Sequence, residues 1–408
     1  MRILIVNTFY YPNMQGGAEQ SVKLLAENFV KSGHEVGVFC IDSKEPDGSI
    51  EEYNGVKIFR HDSGNFDLYG FSYNKKGLSK FQKVRQKLIC YYNKKTLDCF
   101  DKFLKDFKPD VIHTNSTYGM STLIWKTAYK NNIPVVHTIR DTAVISPVIY
   151  GHKVNNAVLK MHRIYVKYTS KFVSGVTSPS NYTLNTSLIN NNFRNADVKK
   201  CIFNSVQINM EQLDKIISLK SNRNSDFYKF FFAGRLIEIK GIVHLIESFN
   251  ELGMENTELH ICGTGSLLDY VKKESEKNNR IIVHGKLDNA ELSRVYDECD
   301  VAVVPSIWPE PFGRVVIEAN LHALPAIVSD CGGMPEIISN TKAGTVYKNG
   351  NNSELVKVMR DYCNREKIKE SFENIKNNIE IYSIERQIES FEKVYQILIN
   401  KVKKNENI

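Results

Sequence analysis

The chain has 408 residues, 42% hydrophobic and 25% charged, with a formal net charge of +8. These proportions are ordinary for globular proteins and exclude a disordered chain, and the length suffices for two domains. Its eight cysteines are scattered, with no Cys-x-x-Cys pair and no clustered histidine. Neither a zinc site nor a disulfide framework is indicated, and a reducing cytoplasm is expected.

Short apolar runs alternate with helical patterns, the mark of βαβ units and parallel sheets. Ile3 to Val6 reads as the first strand. Four apolar residues after Arg2 are too few for a secretory leader, and no run approaches the roughly eighteen of a membrane-spanning helix, so a soluble or peripheral protein is expected. The loop Thr8-Phe-Tyr-Tyr-Pro-Asn-Met-Gln-Gly-Gly-Ala-Glu19 then leads into a helix carrying Val22, Leu24, Leu25 and Phe29. Gly16 and Gly17 at its start permit close backbone approach to a substrate or phosphate; the alternative is a tight strand-to-helix connection. Glu19 is expected to complement the helix dipole.

Glu35 to Cys40 and Val56 to Phe59 read as the next strands. Between Lys75 and Lys108, eleven lysines and arginines face only Asp98, Asp101 and Asp106. Phe81, Val84, Leu88 and Tyr91, then Leu97, Phe100, Leu104 and Phe107, recur beneath them at helical spacing. Such a segment either docks on an anionic membrane surface or is a solvated face over an ordinary packed stripe. Nucleic acid is not expected, because no binding motif accompanies the charge.

Val111 to His113, Val135 to Thr138 and Val173 to Thr177 complete the first set of strands. The polar stretch Asn209 to Asp226 is the expected linker, which divides the chain into residues 1–205 and 206–383. Phe230 to Ala233, Glu258 to Cys262, Ile281 to Val283, Val301 to Val304 and Ala326 to Val328 repeat the pattern, so two sheets are expected. No short-period repeat or low-complexity tract interrupts them.

Chemistry concentrates in Glu310-Pro-Phe-Gly-Arg-Val-Val-Ile-Glu318. Pro309 and Pro311 keep the first carboxylate out of a helix, whereas Val315 to Ala319 read as a first helical turn opening at Gly313. Were the whole segment helical, eight steps of about 1.5 Å would separate the carboxylates by roughly 12 Å, comparable to the reach from a sugar across a diphosphate to a ribose. Gly313 leaves backbone N–H groups bare at a helix N-terminus, where phosphate is favoured. The alternative is a pair of surface carboxylates that complement the dipole. Upstream, Arg235 and Lys240 leave the end of the strand Phe230 to Ala233. Departure of a nucleoside diphosphate builds negative charge that a metal or fixed cations must neutralise. The chain has no Asp-x-Asp sequence to bridge a metal, which favours Arg235 and Lys240 over surface charges without a task. Cys262-Gly263-Thr-Gly265 is either a second nucleotide-side loop or a simple turn.

Together, Glu310-x7-Glu318, Gly234-Arg235-x4-Lys240-Gly241, Gly16-Gly-Ala-Glu19 and Ser329-Asp-Cys-Gly-Gly-Met-Pro-Glu336, with Val303-Val-Pro-Ser306 just upstream of Glu310, resemble the retaining glycosyltransferases of family 4. The resemblance spans nearly the whole chain. It implies an α/β fold of two Rossmann-like domains facing a cleft (GT-B), with residues 1–205 on the acceptor side and 206–383 holding a nucleotide sugar. It also implies that a last helix within 384–408 crosses back to the first domain, and that no metal or other cofactor is needed. By the same resemblance Arg235, Lys240 and Glu310 are the catalytic set. Gly17, Gly263, Gly265, Leu287, Phe312, Gly313, Arg314 and Glu318 bind the donor, with Glu318 on the ribose hydroxyls and base choice resting near Gly285, Lys286 and Leu287.

One segment departs from the family pattern. Where many members carry a histidine that reaches the donor sugar, this chain has Arg140, in Val136-His137-Thr-Ile-Arg140-Asp141. Arginine stays charged and cannot act as a general base, so its task would be hydrogen bonding to sugar, acceptor or phosphate. Gly16, Arg140 and Asp141 are therefore the expected acceptor or sugar contacts. Strand alternation turns His137 to the other side of the sheet, where it is expected to pack. The expected function is transfer of a sugar from a UDP- or GDP-linked donor to a glycan or lipid-linked acceptor in cell-surface polysaccharide synthesis, at or near the cytoplasmic membrane face. The alternative is an epimerase or another enzyme on the same scaffold; a phosphorylase would need a pyridoxal phosphate lysine, for which there is no local signal.

Overall fold

The computed structural model describes residues 1–14, 16–42, 49–64, 79, 85, 88–141, 144, 155–189 and 191–406. The chain divides into two compact units, Met1–Phe203 with Ile384–Ile408, and Asn204–Ser383.

The first unit is built on strands β1 (Arg2–Val6), β2 (Glu35–Ile41), β3 (Ser49–Tyr53), β4 (Val56–His61), β5 (Val111–Thr114), β6 (Val135–Thr138), β7 (Gly175–Ser178) and β8 (Val198–Cys201). They lie in the order β3-β4-β2-β1-β5-β6-β7-β8. All neighbours run parallel except β3 and β4. A strand with helices on both faces must be apolar on both, and β1 shows why its run is unbroken. Ile3 and Ile5 enter one core cluster, Leu4 and Val6 the other. The first cluster also takes Phe391, Tyr395 and Leu398 from the last helix, Ile384–Glu406, which completes this unit's core.

The second unit has six parallel strands, β9 (Tyr228–Ala233), β10 (Thr257–Cys262), β11 (Ile281–Gly285), β12 (Val301–Val304), β13 (Ala326–Ser329) and β14 (Gly344–Tyr347). Their order is β11-β10-β9-β12-β13-β14. The chain therefore winds outward from β9 to one edge, returns, and winds from β12 to the other. In such sheets ligands bind beyond the C-terminal strand ends where the winding reverses. Here that point is β9/β12; in the first unit it is β1/β5.

One expectation needs correction, and one open alternative is decided for the helix Lys94–Phe107. The stretch Asn209 to Asp226 is no linker: Met210–Ser221 is a helix whose Asn209 cap accepts from Gln212 N, and Leu213, Ile216 and Lys220 are buried. Its polar composition misleads because Lys220 is spent internally, donating to the carbonyls of Tyr296 (3.1 Å) and Cys299 (2.7 Å). Of the basic segment 75–108, residues 75–78, 80–84 and 86–87 lie outside the described residues. In the helix Lys94–Phe107, however, Phe100, Phe103, Leu104 and Phe107 are core, while Lys94, Lys95 and Lys105 pair with Asp98, Asp62 and Asp101. That helix is a solvated face over a packed stripe.

Candidate active site

At the β9/β12 switch point the two loops are stapled together by backbone. After β9 the chain turns through Gly234, Arg235 and Leu236, makes a single 3-10 turn over Glu238–Lys240, and enters the helix Ile242–Leu252 through Gly241. Gly241 has φ +71°, and a Cβ there would lie 1.9 Å from the Pro305 carbonyl oxygen, so only glycine fits. The carbonyl of Ile239 accepts from Ile307 N (3.0 Å) and Ser306 Oγ (3.1 Å). Across this junction Lys240 Nζ meets Glu310 Oε1 at 2.7 Å, with both side chains largely buried.

The loop bearing Glu310 is held from its far side by the turn after β13. Gly333 N donates to the Glu310 carbonyl (2.8 Å), and a Cβ on Gly332 would fall 2.3 Å from that same oxygen. The sequence shows why the segment then changes character: prolines flank Glu310, and Gly313, at φ +97°, opens the helix Arg314–Leu321. Met334 fills the space where a Gly313 side chain would be. Phe312 is buried against Tyr382, with ring centroids 5.9 Å apart. Glu318, one helical turn on, accepts from Arg314 Nε at 2.7 Å. Tyr296 lies close enough for the Glu318 carboxylate to add to the burial that pushes its phenol well above its ordinary range.

The glycine loop after β10 closes the other flank. Leu236 N donates to Thr264 O (2.9 Å), and Gly263 N to Gly285 O (2.7 Å). A Cβ at Gly263 or Gly265 would strike the carbonyl of Gly234 or Leu236. Chain packing requires glycine at both positions, and it brings the ends of β9, β10 and β11 to one place beside Arg235. Leu287, half-buried, follows β11 and precedes the Asp288 cap of the helix Asn289–Glu298.

In the first unit, Arg140 and Asp141, just beyond the C-terminal end of β6, lie near Glu19 of the helix that Gly16 caps. Gly16 N donates to Glu19 Oε2 (2.9 Å), which closes the first turn of the helix Gly17–Lys31. Burial raises the Glu19 carboxyl above its usual range, while Arg140 nearby acts to lower it and Asp141 to raise it further. Arg140 Nε donates to Asn115 Oδ1 at 2.7 Å. Asn115, after β5, is buried, and its Nδ2 has no hydrogen-bond partner among the described residues. His137 packs between Trp125 and Phe193, with burial lowering its pKa to about 3.

Sequence reasoning thus singled out Lys240 and Glu310, which the structure brings into contact, and the helix start at Gly313. It missed Asn115, which orients Arg140, and Gly332, which shapes the Glu310 loop. The doubled glycine in Ser329 to Glu336 was the available signal for the second; for Asn115 there was none. Among the described residues no group of three His, Cys, Asp or Glu side chains is arranged to hold a metal, and no helix is long and apolar enough to cross a membrane.

The chain is two Rossmann-like α/β units, and comparison with known proteins identifies this architecture as that of the GT-B glycosyltransferases. Residues 15–198 match the family model "Glycosyltransferase Family 4" and residues 214–380 match "Glycosyl transferases group 1". An uncharacterized 42.6 kDa protein in the cps region of Klebsiella pneumoniae is 31% identical over 350 residues, 83% of this chain and 87% of that protein. An uncharacterized glycosyltransferase of Methanocaldococcus jannaschii is 26% identical over 419 residues, 94% and 98% of the two chains. Among solved structures, sucrose-phosphate synthase from Thermosynechococcus elongatus superposes with a TM-score of 0.72 at 17% identity, covering 98% and 99%. Anabaena HepE in complex with UDP gives 0.68 at 17%, covering 97% and 100%. The chain belongs to the family 4 glycosyltransferases.

Proposed function

We propose that this chain is a metal-independent, retaining hexosyltransferase that moves a sugar from a UDP- or GDP-linked donor to a glycan or lipid-linked acceptor in cell-surface polysaccharide synthesis. The Lys240–Glu310 pair at the β9/β12 reversal carries the reading. It puts a fixed cation and an acid within 2.7 Å of each other at the strand ends where α/β sheets take their ligands. The cps-region relatives favour a polysaccharide product, and HepE, solved with UDP, favours a uridine donor.

In this reading Arg235 and Lys240 neutralise the diphosphate as it leaves, assisted by the N–H groups at the start of the helix Arg314–Leu321. Glu318 gives Arg314 one oxygen and offers the ribose hydroxyls its other acceptor positions, since an ionised carboxylate only accepts. Glu310, with the backbone of Phe312 and Gly313, lies toward the transferred sugar, and Leu287 with the Gly263 and Gly265 loop toward the base. In the first unit, Gly17 is the proposed contact for donor phosphate, and Gly16, Arg140 and Asp141 are the proposed contacts for acceptor or sugar. The acceptor oxygen attacks the anomeric carbon on the face the phosphate leaves. The bond to phosphate breaks, and the acceptor proton passes to the departing phosphate oxygen.

A thermal-shift panel of UDP- and GDP-sugars tests the donor: one base is expected to raise Tm. Turnover with that donor should yield the same anomeric configuration, read by NMR, and should survive a chelator. A panel without any shift would remove the donor assignment, an inverted product the retention, and chelator inactivation the metal independence.

A further inference from the structure

The helix Asn156–Thr169 has two apolar faces. His162, Val166 and Thr169 are buried against the first unit. On the opposite side Ala157, Met161, Ile164 and Tyr168 recur at i, i+4, i+7 and i+11, one continuous stripe on a 3.6-residue helix. All four are exposed, Met161 by 65% and Ile164 by 62%. A single exposed aliphatic residue is common in any protein, but four in register on one helix imply a second partner.

The surroundings identify its chemistry. Lys160, Arg163 and Lys167 run beside the stripe, all exposed. The sequence contains no Asp or Glu between Asp141 and Asp197. Beyond the helix the surface continues through Tyr168, Phe172 and Tyr129, whose rings lie 5.6 and 5.4 Å apart in turn. Lys126 Nζ sits 5.4 Å from the Tyr168 ring and donates to its hydroxyl at 2.8 Å, and Lys171 Nζ lies 5.7 Å from the same ring. The helix Lys94–Phe107 differs in both respects, because its apolar residues are core and its lysines are answered by aspartates.

We propose that the outer face of Asn156–Thr169, extended by Tyr129 and Phe172, docks on an anionic lipid surface. Its apolar stripe enters the headgroup layer, the aromatic rings sit at the polar boundary, and the cations meet lipid phosphates. No residue of this face belongs to the proposed active site, and the inference does not rest on the donor or acceptor.

The test is flotation of the full chain with phosphatidylcholine vesicles, with and without phosphatidylglycerol. Binding is expected only with the anionic lipid. Met161→Asp and Ile164→Asp, at exposed positions, should each weaken it about tenfold or more at unchanged Tm. Lys160→Gln and Lys167→Gln should each weaken it about fivefold. These two lysine changes remove no packed atoms, so they decide the matter even if an aspartate variant unfolds. Failure of the unaltered chain to float with phosphatidylglycerol would overturn the proposal, as would full binding by both aspartate variants or by both lysine variants. A dimer that Ile164→Asp dissociates, without lipid binding, would assign the face to a second copy of the chain.

Discussion

Gly241 and Gly285 share nearly the same backbone conformation, φ +71° and +72°, but not the same surroundings. Among the described residues a Cβ at Gly285 meets nothing within 4 Å, whereas at Gly241 it lies 1.9 Å from the Pro305 carbonyl oxygen. Gly285→Ala should therefore cost only the left-handed backbone penalty, about 1–2 kcal/mol. Gly241→Ala adds a forced displacement of about an ångström or more, because Cβ contacts shorter than 3.0 Å essentially never occur. That movement strains the bonds from Ile307 N and Ser306 Oγ to Ile239 O. At about 1 kcal/mol per bond, Gly241→Ala should cost about 3–4 kcal/mol in total, roughly 2 more than Gly285→Ala. Equilibrium urea unfolding followed by tryptophan fluorescence reads this, since Trp308 lies in the second unit, within the loop concerned, and Trp125 in the first. Transferase turnover should fall with Gly241→Ala, because it moves Lys240 against Glu310. Equal destabilisation by the two variants would refute the stapling of the β9 and β12 loops.

Lys240→Ala should lower kcat by about 10²–10³ while leaving the acceptor KM nearly unchanged, the pattern for a lost charge-stabilising group; unchanged turnover in steady-state assays would remove its role. Arg140→Ala should raise the acceptor KM, and Asn115→Ala should do so more weakly by letting the guanidinium swing; full activity in both would exclude Arg140 from the site. His137 gives a pH dependence. Its pKa is about 3 in the folded chain against an ordinary 6.5 once unfolded, so below pH 6.5 the unfolded chain binds the proton and the folded chain does not. Stability of the first unit should thus fall as pH drops from 6.5 toward 3, by about 2 kcal/mol between pH 8 and pH 5 from this residue alone. His113, lowered well below its usual value by burial, adds to the same trend. Urea titrations at both pH values, on the unaltered chain and on His137→Phe, check it; a flat profile contradicts the buried neutral ring.

What was legible follows the physics of burial. Interior strands such as β1, β9, β12 and β13 are covered on both faces and stand out as unbroken apolar runs. The strands that escaped notice, Ser49–Tyr53, Val198–Cys201 and Gly344–Tyr347, are all sheet edges. Each carries polar or half-exposed residues, because one side has no neighbour to bury it. β7 starts at Gly175 rather than Val173, since Val173 caps the 3-10 turn Ser170–Phe172 and donates to Ser170 O. In the site, each motif announced itself by local spacing, but the contact between Lys240 and Glu310 joins positions 70 residues apart. Only the winding of the sheet brings them together, and one-dimensional spacing carries no record of it. Asn115 was invisible for the same reason: a lone asparagine after a strand has no pattern until its partner is in view.

The return of the chain at Ile384 makes the second unit a guest inserted into the first. Its two ends are adjacent: Val206 bridges Ser383, and Val206 N donates to Tyr382 O. Residues 204–383 thus begin and finish at one doorway, so that module could be excised or exchanged for another without threading the host. Clipping the chain after Ser383 would have the opposite effect, since it strips Phe391, Tyr395 and Leu398 from the host's interior rather than trimming a tail.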